Sequence, residues 1–137
     1  LIFSGWETLD STRQTPEKVL IDNNDLYYPY GSHDSIAAIT TQGGSNITIS
    51  NNELVDESMD STSTDAINFI RVSERRFGIG KEPSRPAEVV VKNNSVISNT
   101  PNAITMTGNC DEWVGPLTVV GNIVQEYSLY CDFLILD

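Results

Sequence analysis

"NITISNNELVD" runs from Asn46 to Asp56, and "EVVVKNNSVIS", from Glu88 to Ser98, follows nearly the same pattern. A repeat governs the whole fold, so it is read before any single element. Anchored on the second Asn, the phrase is found four times: "VLIDNNDL" at Asn24, "ITISNNEL" at Asn52, "VVVKNNSV" at Asn94 and "LTVVGNIV" at Asn122. Five residues before each anchor stand Val19, Ile47, Val89 and Leu117, and three before it stand Ile21, Ile49, Val91 and Val119. Two residues after it come Leu26, Leu54, Val96 and Val124. Branched apolar columns alternating with other residues put one side of a strand into a core and the other toward water.

A second phrase precedes three of the anchors: "DSIAAIT" from Asp34, "TDAINFI" from Thr64 and "PNAITMT" from Pro101. Aligned on its Asp or Asn, it predicts Ile36, Ala38, Ile67, Phe69, Ile104 and Met106 pointing inward. Ala37, Ile39, Asn68, Ile70, Thr105 and Thr107 then point outward. The anchors lie 28, 42 and 28 residues apart, as in a solenoid whose core fixes the strands while insertions go to the loops. Strands of successive coils stack about 4.8 Å apart, so amides at one turn can hydrogen-bond in a ladder and satisfy backbone that would otherwise be buried unpaired.

With its four in-register copies, the chain resembles the right-handed parallel β-helix of the pectate-lyase-like superfamily. The resemblance implies an all-β fold, a β-solenoid of four coils with Asn24, Asn52, Asn94 and Asn122 as its asparagine ladder. It covers nearly the whole chain. That superfamily spans lyases, hydrolases, epimerases, phage tailspikes and adhesins, so the fold does not choose an activity. The competing arrangement is a β-sandwich whose strands share Asn-rich turns.

At 137 residues the chain has the size of one domain. No apolar run approaches the roughly 20 residues of a spanning helix. A net charge of −11 repels phosphate and argues against nucleic acid as a partner. The chain opens on "LIFSG", which fits the first strand of a coil completed by "KVLIDNN", and closes on "YCDFLILD", which fits the first strand of another. Solenoid ends expose core and strand edges. The expectation is a segment of a longer solenoid, with neighbouring coils of the same chain on both ends; the rival is a homo-oligomer whose subunits cover them. Cys110 and Cys131 sit in or beside equivalent strands of neighbouring coils, so either a bridge or two small buried side chains would fit. "NIT" at Asn46 and "NNS" at Asn93 match the glycosylation pattern but lie in or beside strand phrases.

Packed cores leave chemistry to outer faces and loops. The resemblance implies glycan binding along the face of the "DAI" strands, with Asn68 among its outward residues. "RVSERRFGIGKEPSRPA", from Arg71 to Ala87, holds Arg71, Arg75, Arg76, Lys81 and Arg85, five of the eight basic residues. Guanidinium forks suit the carboxylates or sulfates of an acidic polysaccharide. A lyase needs a cation on the uronate carboxylate and a base for the adjacent proton; Arg75 and Arg76 fit the first role, and Lys81 or Arg85 lies near the second. Pairing with Glu74, Glu82 and Glu88 on a solvated loop would equally account for these charges.

Trp6 and Trp113 occupy the equivalent connections of other coils, where indoles offer sugar-stacking faces or core contacts. After the Asn turn, His33 stands beside Asp34 as a candidate general base. Asp34, Asp65 and Asn102 hold the same place in successive coils. Stacked carboxylates would suit a hydrolase acid such as Asp65 or a calcium site with Asp56, Glu57 and Asp60; turn capping is the simpler role. No EF-hand, phosphate loop, zinc spacing or nucleophile elbow is present, and the basic strand residues of the resembling family's lyases are not matched. The expectation is a polysaccharide-engaging β-helix of the extracellular space or of a cell or virion surface, either a lyase or hydrolase of an acidic glycan or a non-catalytic shaft, adhesin or self-assembling fibre.

Overall fold

A computed structural model of the chain describes residues 2–4, 16–28, 38–56, 70–74, 85–98, 104–108, 112–124 and 130–131. They form an all-β structure. In chain order its strands are β1 (Ile2–Ser4), β2 (Leu20–Asp22), β3 (Asp25–Tyr28), β4 (Ile39–Gln42), β5 (Ser45–Ser50), β6 (Glu53–Asp56), β7 (Ile70–Ser73), β8 (Ala87–Lys92), β9 (Ser95–Ser98), β10 (Ile104–Gly108), β11 (Val114–Val120), β12 (Ile123–Val124) and β13 (Tyr130–Cys131). Three sheets result. Sheet A runs β1-β4-β7-β10-β13, sheet B runs β11-β8-β5-β2, and sheet C runs β12-β9-β6-β3. Every strand pair is parallel. The chain therefore passes through A, B and C in that order four times, and β13 returns to A. Parallel neighbours need a long connection; here each connection is the remainder of the circuit.

The apolar columns fall in register. Ile21, Ile49, Val91 and Val119 are successive partners in sheet B, and Leu26, Leu54, Val96 and Val124 are successive partners in sheet C. In the two middle circuits these side chains are fully buried, whereas Val19, Leu26, Leu117, Val119 and Val124 of the outer circuits are half-buried against the same core.

Between sheets B and C the corner is two residues long, and the doubled Asn divides its labour there. Asn23, Asn51 and Asn93 adopt φ of 57°, 53° and 55°, with Gly121 at 67° in the fourth circuit. Asn and Gly are the residues that enter the left-handed region most readily, so the first residue of each pair turns the backbone. The second residue joins the circuits. Asn24 Nδ2 donates to Asn52 Oδ1 at 2.9 Å, Asn52 Nδ2 to Asn94 Oδ1 at 2.8 Å, and Asn94 Nδ2 to Asn122 Oδ1 at 2.9 Å. Each of these oxygens also accepts the backbone N–H of the preceding Asn, at 3.1, 3.1 and 2.9 Å. The second Nδ2 proton of Asn52, Asn94 and Asn122 goes back to the carbonyl of Ile21, Ile49 and Val91. At the start of the row Asn24 turns that proton onto its own strand, at Asp22 O. Asn52 and Asn94 are buried, and a buried amide is tolerated only with its donors and acceptor matched in this way.

On the solvent side of the same corner, Asp22 accepts from Ser50 Oγ at 2.6 Å and from Asn51 Nδ2 at 2.8 Å. The Ser50 and Asn51 hydrogen bonds, helped by the charge of Lys92, hold its carboxyl below the usual carboxylate range. A folded-state pKa below the unfolded one means stability that is complete above the unfolded value of about 3.9 and lost as pH falls through the folded value. Asp22→Asn is therefore expected to flatten the acid side of the stability profile, read by urea unfolding from about pH 2 to about pH 7, by removing the increment present at neutral pH while leaving stability at the lowest pH nearly unchanged.

Sheet A departs from the register read off the "DAI" phrases. Ile39 pairs with Ile70, and Ile70 with Ile104, so the strands of the second and third circuits begin three residues later than that alignment places them. Odd displacement reverses the faces. Ile39 and Ile70, expected outward, are 0 % exposed in the core, and Thr41 and Val72 share their side with Met106. Ala38 is buried as expected; Ile36, Ile67, Phe69, Ala37 and Asn68 lie outside the described residues. The cause is the choice of anchor. The Asp and Asn letters belong to connections whose length varies, whereas Ile39-x-Thr41 and Ile70-x-Val72 carry the alternation that burial selects.

Thr41 is an oddity of this core, because its Oγ1 is buried with no hydrogen-bond partner among the described residues. Removing an unsatisfied buried hydroxyl while keeping the shape recovers its desolvation cost, so Thr41→Val is expected to stabilise the protein by about 1 kcal/mol. The shift of the urea midpoint measures it.

Candidate functional site

Reversing the register of sheet A changes what its outer face carries. One row is Thr40, Arg71 and Thr105, and the next is Gln42, Ser73 and Thr107. All six are polar. The outward rows of sheets B and C are mixed: Leu20, Val120, Tyr27, Ile97 and Ile123 are each more than half exposed, and Thr48, Thr118, Asp22, Lys92 and Glu53 stand in the same rows. Arg71, read from the sequence as the first residue of a basic loop, is the second residue of β7 and lies near the middle of sheet A. Thr105, expected outward, is on the outer row but only 1 % exposed. Its Oγ1 donates to Ile70 O at 3.4 Å, and Ser73 Oγ donates to Thr41 O at 3.4 Å. Among the described residues Arg71 Nε is buried without a hydrogen-bond partner.

Beyond β7 the chain reaches the corner between sheets A and B. In the second circuit this corner is only Gly43 and Gly44. Gly44 has φ 99°, and a Cβ there would stand 2.8 Å from Pro16 O. In the third circuit Glu74 continues the inward side of β7 and buries its carboxylate, with 4 % of the side chain exposed. Gly108 lies against it: a Cβ at this position, whose φ is 131°, would stand 2.6 Å from Glu74 Cδ.

Trp113 Nε1 donates to Glu74 Oε1 at 3.3 Å, and Arg85 Nε lies 3.8 Å from the same oxygen. Arg85 Nη2 also pairs with Glu112. A buried carboxylate needs such partners. Trp113 packs against the core, so its ring is partly taken up by the fold. Thus Arg85 is engaged by two glutamates, as the loop-pairing account allows for Glu74, and Trp113 is brought to the same cluster.

Several expected site residues fall elsewhere. Trp6, His33, Asp65, Asn68, Arg75, Arg76, Lys81, Glu57 and Asp60 lie outside the described residues. Asp56 ends β6, paired with Tyr28 and Ser98. Among the described residues no group of three or more His, Cys, Asp or Glu is arranged to hold a metal ion. Cys131 is the partner of Gly108 across β13 and β10, and Cys110 is outside the described set. Asn46 and Asn93 are both exposed left-handed residues.

Sequence reasoning named Glu74 as a pairing partner for the basic residues but missed its burial and its contact with Trp113, and it missed Thr40, Gln42 and Ser73 on the outward rows. The signal for Glu74 was its parity after Ile70 and Val72; the signal for its space was the glycine at 108.

No family model, no curated protein and no solved structure matches the chain. Among the described residues no helix is long and apolar enough to cross a membrane.

Proposed function

We propose that the chain is a stretch of right-handed parallel β-helix of the pectate-lyase-like kind, located outside the cell or on a cell or virion surface, that engages an acidic polysaccharide along the outer face of sheet A. The observation that carries this reading is the all-polar composition of the two outward rows of sheet A, where Arg71, Gln42 and Thr107 are partly exposed and Thr40, Ser73 and Thr105 are buried; the outward rows of sheets B and C mix apolar with polar side chains. Neighbours within a row stand about 4.8 Å apart, the exposed parts of Gln42, Arg71 and Thr107 offer a sugar chain hydrogen-bond partners, and the guanidinium adds attraction for an acid group. In a lyase, Arg75 or Arg76 would neutralise the uronate carboxylate while Lys81 took the adjacent proton. In a hydrolase, Asp65 would be the acid, with His33 as an alternative proton carrier. Asp56, Glu57 and Asp60 would supply oxygen ligands if calcium assists.

Retention on immobilised polysaccharides tests the reading. Uronic-acid polymers are expected to retard the protein and neutral polymers to retard it less; passage through every column unretarded would sink it. Ultraviolet absorbance of unsaturated ends and a reducing-end assay then report lyase or hydrolase turnover.

A second reading, a non-catalytic shaft or adhesin, is favoured by the engagement of Arg85 with Glu74 and Glu112 and of Trp113 with the core. It expects binding or spacing without product. End-to-end fibre growth has a steric obstacle. A copy placing its β2 on β11 would set its β1 where β13 already pairs with β10.

A further inference from the structure

We infer that the outer face of sheet C is a docking surface for a cationic, partly apolar segment of another protein. Leu26, Leu54, Val96 and Val124 point to the core, so the residues alternating with them face outward in two rows. One row is Asp25, Glu53, Ser95 and Ile123, and the other is Tyr27, Val55 and Ile97. The second row is apolar at every position, with Tyr27 60 % and Ile97 54 % exposed. Its members stand about 4.8 Å apart and form a stripe, not scattered single side chains. Sheet B has no such stripe: Thr48 and Thr118 interrupt one of its outward rows, and Asp22, Ser50 and Lys92 occupy most of the other. A contiguous exposed apolar patch with a polar border marks an interaction site.

Charge selects the occupant. Asp25 and Glu53 are exposed neighbours on β3 and β6, and like charges held that close repel each other. Strands β3, β6, β9 and β12 contain no lysine or arginine to offset them. A second copy would bring the same two carboxylates and another net charge of −11. Anionic lipid surfaces and nucleic acid are repelled for the same reason. A segment with lysine or arginine beside aliphatic side chains meets both rows together, its apolar groups on the stripe and its cations on the carboxylates.

Isotope-labelled protein titrated with a synthetic peptide of alternating lysine and leucine tests the inference. Backbone amide shifts are expected to concentrate on β3, β6 and β9 and to saturate, with an affinity that added salt weakens. Peptides alternating lysine with serine, or glutamate with leucine, each lack one of the two matches and should bind at least about tenfold more weakly. Ile97→Ser is expected to weaken binding of the lysine and leucine peptide by about tenfold. Ile97 is more than half exposed, so the urea midpoint should stay nearly constant.

Asp25→Asn with Glu53→Gln should also weaken the peptide by about tenfold, without loss of fold. Glu17→Gln with Glu88→Gln removes the same charge from exposed positions on the sheet B side and should leave binding nearly unchanged. Equal weakening by the two pairs would reduce the attraction to net charge and overturn the docking surface. Shifts confined to sheet A, or no binding of the peptide, would overturn it as well. Doubling of the mass with protein concentration, accompanied by shifts in these same rows without peptide, would make the occupant a second copy and overturn the cationic partner.

Discussion

Asn94→Ala is expected to destabilise the protein by about 4 kcal/mol, the combined effect of unsatisfied buried groups and a small cavity. Its side chain makes four hydrogen bonds: it accepts from Asn52 N and Asn52 Nδ2 and donates to Asn122 Oδ1 and Ile49 O. Truncation leaves two donors of Asn52 buried and facing a void, and each such orphan costs about 1–3 kcal/mol. Asn24→Ala serves as the internal control. Asn24 is half-buried at the start of the row and sends one Nδ2 proton to its own strand, so its loss is expected to cost about 1 kcal/mol. Urea unfolding of the two variants side by side reads the difference. Equal costs would mean that the amides act as ordinary turn residues and not as a continuous row.

Ile70→Ala is the second large effect, at about 3–4 kcal/mol, the range for truncating a fully buried aliphatic side chain in a core that cannot collapse around the gap. Ile70 lies between Ile39 and Ile104 in the stack of sheet A, and all three are fully buried. The face that the "DAI" letters suggested would make the same substitution nearly neutral, since surface changes usually fall within about 0.5 kcal/mol. Chemical denaturation of Ile70→Ala thus discriminates between the two registers. A loss below about 1 kcal/mol would return Ile70 to the surface and dismantle the polar face built around Arg71.

The parts of the fold readable from sequence were those where composition and geometry coincide. Columns at Ile21, Ile49, Val91 and Val119, and at Leu26, Leu54, Val96 and Val124, sit a fixed distance from an Asn that the corner requires, so anchoring on the Asn placed sheets B and C correctly. The ladder followed from the same anchor. That the first Asn of each pair supplies the left-handed turn was equally present in the letters, since Gly replaces it at 121 where the pair is broken.

Sheet A was less legible because its strands follow connections of unequal length, and an Asp or Asn in a connection carries no register. The candidate site suffered the same way. Arg85 and Trp113 were named from their types, yet what they do depends on Glu74 and Glu112, brought to them from 11 and 27 residues away along the chain in the case of Arg85. Nothing in a local pattern announces that meeting. Arg71 was named for its charge, but its place on β7 between Thr40 and Thr105 became visible only once β7 was aligned with β4 and β10.

The most direct test of the stacked circuits is a nuclear Overhauser measurement on the side-chain amide protons of Asn52. Successive strands about 4.8 Å apart bring these protons close to the side-chain amides of both Asn24 and Asn94, which lie 28 and 42 residues away in sequence. Cross-peaks from Asn52 to both neighbours, with Asn94 in turn connected to Asn122, are the predicted result. An Asn52 side chain whose amide protons contact only residues close to it in sequence would contradict the account.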